Sequence, residues 1–134
     1  MQRDSAAPCL SERATGMALS VLTEIHQLLK ALSEAGQSGS IDLRSLPLSD
    51  ADREQLENVL GRGELQAQLN LAGESEVWET TYPGVWWIRH KGAGGKIATE
   101  QISVCRIPEI LITHPADIEA AAARLKQELE TTHV

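Results

Sequence analysis

The side chains best suited to chemistry or recognition lie in one run, Ser75 to His90, SEVWETTYPGVWWIRH. The chain has three Trp, one Tyr and no Phe, and all four aromatics (Trp78, Tyr82, Trp86, Trp87) fall inside this run. Pro83 and Gly84 interrupt it at its middle. Trp, Tyr and Arg are enriched at interface hot spots because each joins a large apolar area to a hydrogen-bonding end. An exposed Trp and Tyr group beside a Pro-Gly bend would therefore be a contact surface, whereas enclosed aromatics would fill the core of a protein lacking Phe. Glu79 and His90 are the acid and base to consider for proton transfer, which requires both in one pocket.

Other reactive types are dispersed. Cys9 and Cys105 belong to no CxxC or Cys/His cluster of metal-ligand spacing. His26 has no second ligand at i+3 or i+4 and reads as a half-buried or surface histidine. Asp50, Asp52, Glu54 and Glu57 are accounted for by helix capping and solvation, so no metal site is expected. Lys91 to Lys96, KGAGGK, has the glycines of a phosphate loop, but Ile97 follows where a phosphate loop needs Ser or Thr and a helix. It reads as a hairpin loop.

The elements that position the run follow from periodicity. Ala18, Val21, Leu22, Ile25, Leu28, Leu29 and Leu32 recur at three- and four-residue steps, predicting an amphipathic helix that Gly36 stops. Ile41, Leu43 and Leu46 form a short extended lead. Ser49 caps a second helix with Asp50 and Asp52 in its first turn, Leu56, Val59 and Leu60 on its apolar face, and Gly61 as its left-handed exit. From Leu65 to Leu71 the period becomes 2, predicting a strand with one wet and one buried face. The aromatic run supplies strands at about 76–82 and 85–91, and a fourth is expected at about 97–107. Residues 109–113 suggest a helical turn beneath the sheet. Pro115 opens a last helix with Ile118, Ala121, Ala122, Leu125 and Leu129 as its buried stripe. The fold class is α+β: an antiparallel four-stranded meander sheet with helices packed on one face.

Alternation along a strand then sorts the run into two faces. Trp86, Ile88 and His90 share one face, and Val85, Trp87 and Arg89 share the other. On the preceding strand Trp78, Thr80 and Tyr82 are expected together, opposite Val77, Glu79 and Thr81. This assignment separates Glu79 from His90. With helices over one face, one indole of the Trp86-Trp87 pair is expected outside.

At 134 residues the chain fits a single domain able to fold without disulfide or metal, here residues 15–130, behind a frayed lead-in at 1–14. A net charge of −7 argues against nucleic acid or anionic membrane as partner. The first residues lack the apolar core of a signal peptide, and no segment has the ~20 apolar residues of a membrane span, so a reduced, cytoplasmic protein is expected.

Four segments together resemble a known family: Leu46-Pro-Leu-Ser-x-x-Asp52, Leu60-Gly-x-Gly-Glu64, Ser75-Glu-Val-Trp-Glu-Thr-Thr-Tyr-Pro-Gly-Val-Trp86, and Ile107-Pro-Glu-Ile-Leu111. They resemble nickel-iron hydrogenase expression/formation proteins of the HupH type, over residues 17 to 129. The resemblance implies a non-catalytic accessory protein, without cofactor, that acts as chaperone or scaffold in maturing uptake hydrogenase. Its implied partners are the iron-sulfur small subunit precursor and other maturation factors. Glu79, Tyr82, Pro83, Gly84 and Trp86 match the family motif, and with Trp78 and His90 they form the expected partner-binding set. Family members are typically longer, with two related units, so a homodimer of this single unit would restore the pair. The alternative is a general protein or peptide interaction module using an exposed strand edge, unrelated to hydrogenase.

Overall fold

The structure is a computed structural model that describes residues 14–71 and 73–132. The expected lead-in, except for Ala14, and Cys9 lie outside the described residues.

Helix α1 spans Met17–Ala35 and ends on Gly36, whose left-handed backbone (φ 68°) lets its own N–H donate to Leu32 O and the N–H of Gln37 donate to Ala31 O. Strand β1 (Gly39–Asp42) follows, then a 3-10 turn at Leu43–Ser45. Helix α2 (Asp50–Leu60) starts with a full capping box. Ser49 Oγ accepts from Asp52 N at 3.1 Å, and Asp52 Oδ2 accepts from Ser49 N at 3.0 Å. Sequence reasoning gave Asp52 only a charge role in the first turn. Its carboxylate is fully enclosed and also accepts from Thr15 N at 2.7 Å and Thr15 Oγ1 at 2.6 Å. Burial alone would raise its pKa, but the hydrogen bonds from Thr15 and Ser49 outweigh that and hold it down at about 2.

Strands β2 (Gln66–Leu71), β3 (Gly73–Glu79), β4 (Val85–Lys91) and β5 (Ile97–Val104) form the expected antiparallel meander. KGAGGK is the β4–β5 hairpin loop, closed by Gly92 N donating to Lys96 O at 2.8 Å. The sheet has five strands, not four, in the order β1-β5-β4-β3-β2. β1 is only four residues long, too short to show a period, and it is fixed by pairing with β5 across some sixty residues of chain.

One face of the sheet carries α1 and α2. Ala18, Val21 and Ile25 of α1 and Leu56 and Leu60 of α2 pack with Ile41, Leu43, Trp78, Val85, Trp87, Ile102 and Val104 into one buried core. Each large side chain here contributes about 1.5–3 kcal/mol by leaving water, so Leu56→Ala alone should cost about 2–5 kcal/mol. The other face carries Val77, Trp86 and Ile88. It is partly covered by the segment after β5, which turns at buried Pro108 into a 3-10 turn at Glu109–Leu111. Leu111 and Ile107 border a small apolar cleft of about 220 Å³ with Leu65, Ala67, Val77 and Trp86.

Helix α3 (Pro115–Thr132) overturns one expectation. None of its residues is buried, and Ile118, Leu125 and Leu129 are 57%, 62% and 65% exposed. Periodicity reports which side of a helix is apolar but not whether anything meets it. The helix forms for local reasons instead: strong formers throughout, Pro115 at its first position, and His114 Nδ1 accepting from Ala116 N at 3.1 Å. Among the described residues no helix is long and apolar enough to cross a membrane.

Candidate functional site

Three buried residues carry charge or aromatic area into the centre of the domain. Glu100, on β5, is fully enclosed and accepts from Trp87 Nε1 and Arg89 Nε, each at 2.8 Å, and from the Arg53 guanidinium of α2. Trp87 stacks on Trp78 with ring centroids 5.6 Å apart and planes 10° from parallel. The Arg62 guanidinium covers Trp78 at 3.8 Å from the ring centroid. Glu100 and Arg62 were not singled out from the sequence. A lone Glu in an alternating strand looks solvated until its partners, 13 and 47 residues away, are brought to it.

That packing decides the question of the exposed indole. Trp78 and Trp87 are 2% and 0% exposed under the helices, and Trp86, on the other face, is 4% exposed. The segment after β5 closes over Trp86, whose Nε1 donates to Cys105 O at 3.2 Å. No indole is outside, which corrects the expectation that one of the Trp86-Trp87 pair, and Trp78 with it, forms an exposed surface. The same enclosure raises the pKa of the Cys105 thiol through desolvation.

The exposed aromatic is Tyr82, at 47%. It stands in the turn between β3 and β4 and not on β3, which ends at Glu79, so strand alternation does not extend to it. Val85 N donates to Tyr82 O at 3.0 Å, with Pro83 and Gly84 (φ 92°) at the two inner positions. Pro before a positive-φ Gly is the pattern of a type II turn. The turn is pinned on three sides. Thr80 Oγ1 donates to Val85 O at 2.9 Å, and Thr81 N and Oγ1 donate to Leu60 O, at the end of α2, at 2.9 and 2.7 Å. Cys105 N donates to Gly84 O at 2.9 Å. Gly84 faces Leu29 and Leu32 of α1.

Held in this way, Tyr82 borders an apolar groove of about 280 Å³ between α1 and α2. Leu22, Ile25, His26 and Leu29 form one wall, and Val59 and Leu60 form the other. His26 is exposed on the rim, as a surface histidine was expected to be. The groove walls were missed as a site because they read as the core stripes of two helices. The available signal was Val59, which widens the apolar face of α2 and is 43% exposed.

Of the expected set, the structure brings together Tyr82, Pro83, Gly84 and Glu79, whose Oε2 lies 3.5 Å from Gly84 N. It leaves His90 apart. Glu79 faces Trp86 across the strands and His90 faces Ser75, four residues away, so the two share a face of the sheet but stand ~13 Å apart along it. The expected separation by face is thus replaced by separation along the strand. His90 Nδ1 is hydrogen-bonded to Ser75 Oγ, which is 1% exposed and cannot meet a substrate. Among the described residues no three His, Cys, Asp or Glu side chains are grouped so as to hold a metal ion. The arrangement offers a rigid apolar recess with a phenol at its mouth, which is the chemistry of contact.

Comparison with known proteins places the chain in a family. Residues 16–132 match the family model described as HupH hydrogenase expression protein, C-terminal conserved region. A solved structure of hydrogenase expression protein HupH from Thiobacillus denitrificans superposes with a TM-score of 0.84 at 41% identity, covering 88% of this chain and 98% of that one. The hydrogenase-1 operon protein HyaF of Escherichia coli is 33% identical over 103 residues, 76% of this chain and 36% of HyaF. The hydrogenase expression/formation protein HoxQ of Azotobacter vinelandii is 27% identical over 124 residues, 90% of this chain and 44% of HoxQ. The chain therefore spans less than half the length of these two relatives. It belongs to the HupH family of hydrogenase expression proteins, matching their C-terminal conserved region.

Proposed function

We propose that this protein is a non-catalytic accessory protein of hydrogenase maturation, acting in the cytoplasm as a chaperone or scaffold. Its client is the iron-sulfur small subunit precursor, held with the help of other maturation factors. The observation that carries this reading is the pinned turn that presents Tyr82 beside the α1–α2 groove. A surface that must recognise an unfinished protein gains from apolar walls and a pre-set anchor, because little ordering entropy is then lost on binding. The relatives named as a hydrogenase-1 operon protein and a hydrogenase expression/formation protein support the hydrogenase part of the reading.

The contact set is Tyr82, Pro83, Gly84 and Glu79 at the turn, with Val59 and Leu22 in the groove. Trp78 and Trp86 act through the support they give. The protein supplies no cofactor, so any cluster ligands belong to the client. The test is co-purification of the small subunit precursor with the unmodified protein and with Tyr82→Ala and Val59→Lys variants, their fold checked by circular dichroism. Capture should fall about tenfold or more in each variant, the loss expected of a hot-spot side chain. Undiminished capture by folded variants would remove the groove from consideration.

A further inference from the structure

β2 is the last strand on its side of the sheet, and among the described residues nothing pairs with its outer edge. Glu79 N donates to Leu65 O at 3.0 Å, which turns Leu65 toward β3 and, by alternation, Ala67 and Leu69 with it. The N–H and C=O groups of Gln66, Gln68 and Asn70 therefore point out of the sheet.

Proteins normally protect such an edge with charge, proline, a bulge or a covering loop. Among the described residues β2 has none of these. Its sequence, QAQLNL, contains neither charge nor proline, and it pairs with β3 in unbroken register from Gln66–Trp78 to Leu71–Gly73. The neutral stretch extends from Leu65 to Gly73 in a chain of net charge −7. Two copies of the chain can approach along it without the repulsion that acts elsewhere between them. The edge is also self-complementary. Set antiparallel about a two-fold axis at Gln68, Gln66 of one copy faces Asn70 of the other and Gln68 faces itself.

We propose that β2 is a strand-addition site whose occupant is β2 of a second copy, joining the two sheets edge to edge. The three outward residues of each copy, donating and accepting, would close six backbone hydrogen bonds. On the face without helices Ala67 and Leu69 meet Leu69 and Ala67 of the second copy, beside Leu65, which is 56% exposed. The opposite face brings neutral amides together. One strand pair is a small contact, in the class below ~1,200 Å², so the product is a reversible, concentration-dependent dimer.

Sedimentation equilibrium over a concentration series, with backbone hydrogen exchange, tests this. The unmodified protein should dimerise as concentration rises, and exchange at the Gln66, Gln68 and Asn70 amides should slow in step. Gln68→Lys places like charges opposite each other on the axis and should weaken dimerisation about tenfold. Ser40→Lys, an exposed change on the opposite edge strand, should leave it unchanged. A monomer at every concentration, a dimer indifferent to Gln68→Lys, or protection of these amides only when another protein is added would overturn the proposal.

Discussion

Glu100→Ala should be among the most damaging single changes in this domain, by about 3–5 kcal/mol. The carboxylate is fully enclosed and holds three donors, the guanidinium groups of Arg53 and Arg89 and the indole N–H of Trp87. Arg53 comes from α2, Trp87 and Arg89 from β4, and Glu100 from β5, so one side chain ties a helix to two strands. Deleting it leaves two guanidinium groups largely sheltered from water, at 18% and 14% side-chain exposure, without their central counter-charge. Removing one partner of a buried ion pair costs about 3–5 kcal/mol. Glu57, 3.3 Å from Arg89, softens the loss at one of the two, which favours the lower half of that range. Against a total stability of about 5–15 kcal/mol, this is roughly a fifth of the whole at the least. Glu100→Gln keeps the volume and one acceptor but not the charge, and should cost roughly 2 kcal/mol. The assay is equilibrium urea unfolding followed by tryptophan fluorescence, with the midpoint falling in the order unmodified, Gln, Ala at constant slope. A loss below about 1 kcal/mol for Glu100→Ala would refute the view that this cluster fastens α2 to the sheet.

Three further outcomes are expected. Gly84→Ala should destabilise by about 1–2 kcal/mol, because alanine is strained at φ 92° while the added methyl meets Leu29 and Leu32 at ordinary contact distances of 3.4 and 3.5 Å; the same urea assay reads it. Asp52 has a folded-state pKa near 2, below its ordinary 3.8, so its ionised form contributes stability that is complete above pH 4 and lost as pH falls toward 2. An acid titration comparing the unmodified protein with Asp52→Asn should show their stability difference shrinking across that window. Leu125→Gln with Leu129→Gln should leave the urea midpoint of the core within about 0.5 kcal/mol, because neither side chain is packed against it.

Much of the fold was legible in the chain because its signals are local. The 3.6-residue stripe of α1, the Ser49 cap, the change to period 2 at β2 and the two faces of β4 all express backbone geometry that a short window contains. The features that escaped are set by distant partners. Whether Trp86 faces water depends on the segment after β5 closing over it, and nothing in WETTYPGVWW encodes that. Glu100 looks like any strand glutamate until Arg53 and Arg89 reach it. The apolar stripe of α3 reads as buried because stripes usually are, yet among the described residues no element meets it. The site was half visible for the same reason. Tyr82-Pro83-Gly84 announces a turn, but the groove beside it exists only once α1 and α2 lie side by side.

The gathering of every indole inside the sheet has an optical consequence. Trp78, Trp86 and Trp87 are all enclosed, and α3 contributes no aromatic residue. Intrinsic fluorescence is therefore a gauge of the sheet and its two covering helices alone, whereas far-ultraviolet circular dichroism also counts the 18 residues of α3. An unpacked helix of that length is marginal in water, so heating should erode the dichroism before the emission shifts. The gap between the two curves would measure the independence of α3, and would not signal a folding intermediate of the core.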